Sequence, residues 1–535
     1  MMNKYLSLVL INIFCTASLA IAATPSDNSV CNSQNPEIVC TESGAVRGAP
    51  DGATLAFKAI PYAAPPVGAL RWRPPAKPIA WTGVRDGSSF GASCPQLVDN
   101  RVEGQEDCLF INVWRPTQKP TQPLPVMIWL TGGGNHVFSG AGSFGFGKVV
   151  YNGRALVPND VIVVTYNLRL GVFGFLAHPA LDQERAEKVS GNYGSLDQIE
   201  MLRWVNRNIA AFGGDPSRVF LFGTSAGGGN ICALLTSPLT AGLIHGVSMQ
   251  SSVPIGCELQ TLADAENGTG AEVAKRVGCV NQTDTAACLR EKSVTELVSA
   301  LPGTFTVFPR LYGPNVDGVV FPQQPIERIQ QKNYPAVPII IGDTKDETMQ
   351  FVNSVGPITD GASYSAAIAR VFGTSARDQI IEHYPLSKYP TPRAAFVQLT
   401  TDAQFTCQSR RVARTFTSVQ QPPVYRYVFA HSLENDPAQK ALGAIHTIEH
   451  PFLFNWEGSY QPTAIDKKIQ GLMLNYWTNM AKHDNPNGSD AVTWPSAGKN
   501  GDTYLEISAN SQVRQTLAET HCDFWDTVKL PQPHL

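Results

Sequence analysis

The sequence predicts an α/β protein with a large, mainly parallel central sheet and helices on both faces. Three observations carry that prediction. Short apolar runs without alternation recur along the chain, as strands covered on both faces require. Stretches with apolar residues at helical spacing lie between them, and the order strand, helix, strand, helix calls for parallel pairing. The runs extend from Pro125 to Phe429 with no repeat, low-complexity block or long linker. One large domain with helical insertions is therefore expected over residues 23–535.

Each element follows from a local pattern. Pro125-Val126-Met127-Ile128-Trp129-Leu130 reads as a buried strand that runs into glycines. Val161-Ile162-Val163-Val164-Thr165-Tyr166 is continuous and β-branched, as a fully covered strand would be. Leu196, Ile199, Leu202, Trp204, Val205 and Ile209 recur at helical spacing, and the predicted helix from Leu196 to Phe212 stops at the breaker Gly213-Gly214-Asp215-Pro216. Arg218-Val219-Phe220-Leu221-Phe222 then reads as a strand running directly into Gly223, with a helix from Gly228 to Leu235 behind it. Later strands are expected at Gly246 to Gln250, Val337 to Ile341 and Val424 to Phe429.

Composition narrows the function. The chain has 535 residues, 43% of them hydrophobic, which is ample for a large core. Lys and Arg number 41 against 44 Asp and Glu, a net charge of −3 with no polybasic run. A nucleic-acid partner is excluded on that balance, because a phosphate backbone needs a basic surface to neutralise it.

Lys4 and the apolar stretch from Tyr5 to Ala22 read as a secretory signal, residues 1–22, cleaved after Ala20-Ile21-Ala22. An uncleaved anchor is the competing reading, since the stretch nearly spans a bilayer. No later stretch is long enough to cross one, so no stable membrane insertion is expected and the mature chain is placed outside the cell or in a periplasm. The eleven cysteines agree, because export brings the ten that remain after Cys15 into an oxidising compartment. None has the paired spacing of a zinc site, and the residues alone leave the connectivity open. Asn267, Asn281 and Asn487 begin sequons, which matter only in a glycosylating host.

Gly223-Thr224-Ser225-Ala226-Gly227 is a G-x-S-x-G pentapeptide between a predicted strand and a predicted helix. A tight strand-to-helix turn needs small residues, lifts the Ser225 hydroxyl clear of the sheet and sets it at a helix N-terminus that favours negative charge. A serine needs a base and a group to orient that base. In α/β hydrolases the chain order is Ser, then Asp or Glu, then His. Asp343, Asp346 and Glu347 follow the Pro338 to Gly342 strand, and all three are candidates for the acid. His446, in a loop beyond the last predicted strand, is the candidate base.

With these motifs the chain resembles the type-B carboxylesterases, a group that includes cholinesterases and fungal lipases. Glu106-Asp107-Cys108-Leu109-Phe110-Ile111-Asn112-Val113-Trp114 is similar to the family's second signature. Gly191-Asn192-Tyr193-Gly194, Asp197-Gln198 and Phe212-Gly213-Gly214-Asp215-Pro216 resemble its central block, and Tyr476-Trp477 with Asn485-Pro486-Asn487 its late helix and turn. Lys345-Asp346-Glu347 resembles the acid loop and selects Glu347; Gly443-Ala444-Ile445-His446 resembles the histidine loop and selects His446.

The resemblance implies an α/β-hydrolase fold with helical insertions around an active-site gorge, and hydrolysis of small-molecule esters through an acyl-enzyme on Ser225. It implies an oxyanion hole from the N–H groups of Gly133, Gly134 and Ala226. It also implies the pairs Cys94–Cys108, Cys279–Cys288 and Cys407–Cys522, while Cys31 and Cys40 are joined on proximity. Cys232 and Cys257 are left over and expected as buried thiols. No metal or cofactor is implied, and a monomer or homodimer is expected.

Departures from the family point to the substrate. Thr131 and Asn135 replace residues usual on either side of the glycine loop, and Thr224 stands where a Glu normally adjoins the nucleophile. The Cys94 to Cys108 loop has no Trp to face a quaternary ammonium, which argues against choline esters. Arg310, counted back from Pro314-Asn315-Val316-Asp317-Gly318, falls near an acyl-pocket position. Thr224, Arg310 and Asn135 are thus candidate substrate contacts, and an Arg beside a lost Glu suits an acyl group that carries a carboxylate. A rim arginine is the bland alternative, and a lipase-like esterase on neutral acyl chains is the competing function. A catalytically silent binding protein would be expected to lack Ser225, Glu347 or His446.

Two further patterns are set aside. His446-Thr447-Ile448-Glu449-His450 fits a zinc-peptidase pattern, but Pro451 and non-helical spacing oppose it. Gly140 to Gly145 fits G-x-G-x-x-G without the strand and helix that a dinucleotide site needs.

Overall fold

Eleven strands form the central sheet in the computed structural model, which describes residues 31, 35–143, 149–252, 257–307, 312–456, 458–489, 491–499, 501–515 and 521–528. In chain order they are β1 (Ala49–Asp51), β2 (Thr54–Pro61), β3 (Phe110–Pro116), β4 (Leu124–Leu130), β5 (Ile162–Tyr166) and β6 (Gly214–Thr224). β7 (Gly246–Gln250), β8 (Ile339–Thr344), β9 (Val424–Phe429), β10 (Tyr504–Ile507) and β11 (Gln512–Arg514) complete it. Their spatial order is β11-β10-β9-β8-β7-β6-β4-β5-β3-β2-β1. Pairing is parallel from β10 through to β5. Antiparallel strands close both edges.

Alternation along the strands explains the two faces. Val126, Ile128 and Leu130 of β4 join one core cluster, with Ile162, Val164, Val219 and Leu221. Met127 and Trp129 between them join another, with Val163, Phe220 and Phe222. Successive side chains point to opposite faces of a sheet, so a strand apolar at every position is buried twice over.

Helices cover each face. Ile199, Leu202 and Val205 of α1 (Tyr193–Asn208), Ile231 and Leu235 of α2 (Ala226–Thr236), and Val412 and Phe416 of α3 (Cys407–Val419) pack into the first cluster. Ile469, Met473 and Trp477 of α4 (Ala464–His483) fill the second. Each fully buried Ile, Leu or Val contributes about 1.5–3 kcal/mol. A third cluster, including Tyr364, Ile368, Phe396 and Leu399, forms the core of a helical insertion between β8 and β9.

Boundaries moved where polar contacts extend an element. α1 starts at Tyr193 rather than Leu196, behind Asn192, whose amide donates to Asp317 Oδ2 at 2.8 Å. It gives way to a 3₁₀ turn at Ile209–Phe212, ended by Gly213 at φ 90°. β6 starts at Gly214, with an irregular register against β4 before Val219.

Five disulfides are present: Cys31–Cys40, Cys94–Cys108, Cys232–Cys257, Cys279–Cys288 and Cys407–Cys522. The third corrects the expectation of buried thiols at Cys232 and Cys257. Cys232 lies in apolar α2 without the turn residues that flank a small disulfide loop, but the fold brings the two Cα atoms to 5.6 Å, within bonding range. The signal segment 1–22 lies outside the described residues, among which no helix is long and apolar enough to cross a membrane.

Candidate active site

The backbone of Ser225 is held at φ 56° and ψ −126°, between the end of β6 and the start of α2. A non-glycine residue at positive φ is strained, and strain of this kind clusters at functional sites. The neighbouring glycines permit the turn, because a Cβ on either Gly223 or Gly227 would run into the Leu130 carbonyl. Ser225 N–H donates to Gln250 O at 2.9 Å, which ties the turn to the end of β7.

Glu347 and His446 come from separate loops, after β8 and before α4, and the structure brings them together. Glu347 is fully buried, and its Oε2 lies 2.5 Å from His446 Nδ1. Its Oε1 accepts from Ser251 Oγ at 2.5 Å and from Thr344 N–H at 2.7 Å. Phe351 and Phe405 flank the His446 ring at centroid distances of 5.6 and 5.3 Å. A carboxylate on Nδ1 fixes the tautomer that leaves Nε2 able to accept a proton.

The other two candidate acids point elsewhere. Asp343 accepts from Thr406 Oγ1 at 2.6 Å, and burial pushes its carboxyl up to about 7. Asp346 accepts from Ala444 N–H at 2.9 Å and so anchors the loop that carries His446. Gly443, at φ 76°, leaves room for that carboxylate.

The glycine loop after β4 lies directly against the serine, since a Cβ on Gly132 would stand 2.9 Å from Ser225 Cβ. Its carbonyls are pinned. Gly133 O accepts from His136 and Val137 N–H at 3.0 and 3.2 Å, and Gly134 O accepts from Tyr312 N–H at 3.2 Å and His136 Nδ1 at 3.1 Å. His136 is buried, which depresses its pKa to about 4, and its ring lies 4.9 Å from that of Phe305. Ala226 is the first residue of α2, where an N–H has no acceptor within the helix.

The candidate substrate contacts are placed less evenly. Thr224 is fully buried, and its Oγ1 has no partner among the described residues. Asn135 is buried at φ 57°, and its amide bonds to Asn230 and to the Tyr312 carbonyl. Arg310 lies outside the described residues. A largely apolar cleft lined by Leu97, His136, Val137, Val298, Phe305 and Tyr312 adjoins the glycine loop.

Beneath the site Glu449 is fully buried, and burial with the nearby Glu347 carboxylate pushes it up to about 8. His450 heads a short helix, His450–Leu453, and its ring packs edge-on to Trp129 at 5.2 Å. His446 and His450 therefore do not share a helix, which removes the zinc-peptidase geometry.

Sequence reasoning missed Ser251, Asn230 and the two flanking phenylalanines. Ser251 alone had a usable signal, since it follows a predicted strand at the carboxyl edge where parallel α/β sheets hold their ligands.

A mixed sheet with a parallel centre, helices on both faces and a strained serine between strand and helix defines the α/β-hydrolase fold. The solved structure of PNB esterase superposes with a TM-score of 0.77 at 29% identity, covering 91% of this chain and 99% of that one. A model described as the carboxylesterase family matches residues 35–525, and this chain belongs to that family. It is 36% identical to a fumonisin B1 esterase of Sphingopyxis macrogoltabida over 86% of this chain and 85% of that protein. It is 33% identical to a cocaine esterase of Oryctolagus cuniculus over 92% and 96%. The protein is a carboxylic ester hydrolase.

Proposed function

We propose that the chain hydrolyses esters through an acyl-enzyme on Ser225, and the Glu347–His446 pair at 2.5 Å is the observation that carries this reading. His446 Nε2 takes the hydroxyl proton as Ser225 Oγ bonds the ester carbonyl carbon. The N–H groups of Gly133, Gly134 and Ala226 receive the oxyanion, and Glu347 steadies the imidazolium. His446 then gives its proton to the departing alcohol. Water, deprotonated by His446, attacks the acyl carbon and releases the acid, which restores Ser225.

We read residues 23–535 as one exported domain, monomeric or homodimeric, behind a cleaved 1–22 segment; the five disulfides support an oxidising compartment. For the acyl group we favour one bearing a carboxylate, supported by Arg310 and by Thr224 in place of an anion. The apolar cleft beside the glycine loop supports the second reading, a neutral acyl chain. Hydrolysis of p-nitrophenyl butyrate and p-nitrophenyl hemisuccinate by the wild type and Ser225→Ala tests both levels. Loss of turnover in Ser225→Ala is expected, and retention refutes the nucleophile. A hemisuccinate preference that disappears in Arg310→Ala is expected for the acidic acyl group, and a butyrate preference selects the neutral one.

A further inference from the structure

Asn135 occupies an unusual junction. It follows Gly133 and Gly134, has a positive φ that Asn tolerates better than most residues, and is 5% exposed. Its amide forms a reciprocal pair with Asn230, which donates from Nδ2 to Asn135 Oδ1 at 2.7 Å and faces Asn135 Nδ2 through Oδ1 at 3.4 Å. Asn230 lies on α2 one helical turn beyond Ala226, on the same face. Asn135 Nδ2 also donates to Tyr312 O at 2.9 Å, while Tyr312 N–H donates to Gly134 O at 3.2 Å. Two hydrogen bonds thus bracket the Gly134–Asn135 step against the Tyr312 backbone. A third set joins that step to the helix that starts at Ala226.

We infer that Asn135 is a positioning residue that sets the spacing between the two halves of the oxyanion hole. This rests on the reading above, in which Gly133 and Gly134 supply one half and Ala226 the other. The Asn135 side chain bridges the glycine loop, the nucleophile's helix and the segment carrying Tyr312. With both polar ends of its amide held by the protein, Asn135 acts through the loop rather than by touching substrate. An apolar side chain there would strand the Asn230 amide and the Tyr312 carbonyl, and the loop would settle at another distance from Ala226.

The test uses Asn135→Gly, which removes the amide while tolerating the positive φ, together with Asn230→Ala, a good helix former, and the double variant. Misplacing reacting groups by about 1 Å can cost about 100-fold in rate. Each single variant is therefore expected to lower kcat about 10- to 100-fold on p-nitrophenyl butyrate with KM little changed. Affinity for a trifluoromethyl ketone, whose adduct needs the oxyanion hole, is expected to fall in parallel. The double variant is expected to be no worse than the poorer single one, because both remove the same link. Wild-type kcat in Asn135→Gly, a loss carried by KM alone, or losses that multiply in the double variant would each overturn the inference. Ser225→Ala separates the two levels. Retained turnover there refutes the nucleophile and this inference with it, whereas a dead Ser225→Ala beside a fully active Asn135→Gly refutes the inference alone.

Discussion

Ser251 donates to one oxygen of Glu347 at 2.5 Å while His446 Nδ1 lies 2.5 Å from the other. The carboxylate is held from two sides, by the loop after β7 and by the loop before α4. Its rotation about the side-chain bonds is therefore stopped by protein rather than by solvent. Ser251→Ala removes one restraint and leaves a buried acceptor short of a donor, at a cost of about 1–3 kcal/mol. A lower Tm and a fall in kcat with KM unchanged are expected from thermal melts and steady-state kinetics. Unchanged kcat would mean that Thr344 N–H and His446 alone fix Glu347.

Groups that act as a unit do not contribute independently. Ser225→Ala or His446→Ala is expected to lower kcat about a million-fold, and the two together no further. Glu347→Gln is expected to cost about 10⁴-fold, because it presents the wrong hydrogen-bonding group to His446 Nδ1. Asp343→Asn and Asp346→Asn should keep far more activity, and an Asp346→Asn variant as slow as Glu347→Gln would reassign the acid.

The Cys232–Cys257 bond closes a loop with a sequence separation of 25, for which chain entropy gives about 3.5 kcal/mol. Cys232→Ser is expected to lower the denaturation midpoint by a corresponding amount. Thiol titration of the unfolded, non-reduced mature protein should find no free cysteine. Two reactive thiols would restore the buried-thiol reading.

Glu449 and Asp343 make stability fall with pH. The folded protein keeps a proton on Glu449 up to about 8, whereas an unperturbed side chain releases it near 4.5. The resulting stabilisation is complete below 4.5 and is lost as pH rises toward 8. Asp343, pushed up to about 7 from 3.8, adds loss in the lower part of that window. Glu449→Gln is expected to flatten the decline of Tm across this range, and a slope equal to the wild type's would place the loss in other groups.

The strands were legible because both faces of the sheet are covered, so β4 has no polar side chain and β5 has Thr165 alone before its closing Tyr166, while β7 and β9 interrupt the run with Ser248 and Arg426. Ser225 was legible because the tight turn demands glycines on either side. The choice among Asp343, Asp346 and Glu347 was not, since three carboxylates within five residues at the end of β8 and the turn after it differ only in where the backbone aims them. Family likeness, not spacing, selected Glu347 in advance. Asn230 was hidden for a related reason: it matters through a partner on a distant segment and no local pattern marks it, whereas Ser251 was marked only by its place after a predicted strand. Cys232 was misread because its partner is close only after α2 packs on the sheet.

The Cys407–Cys522 bond has a sequence separation of 115, and His446 lies inside the closed segment while Ser225 and Glu347 lie outside. A protease that nicks the chain once anywhere in that ring cannot separate the pieces. Whichever fragment carries His446 stays covalently tethered to the rest through one cysteine or the other. Nicked protein would run as a single band until reductant is added, and the histidine could not diffuse away from the serine it serves.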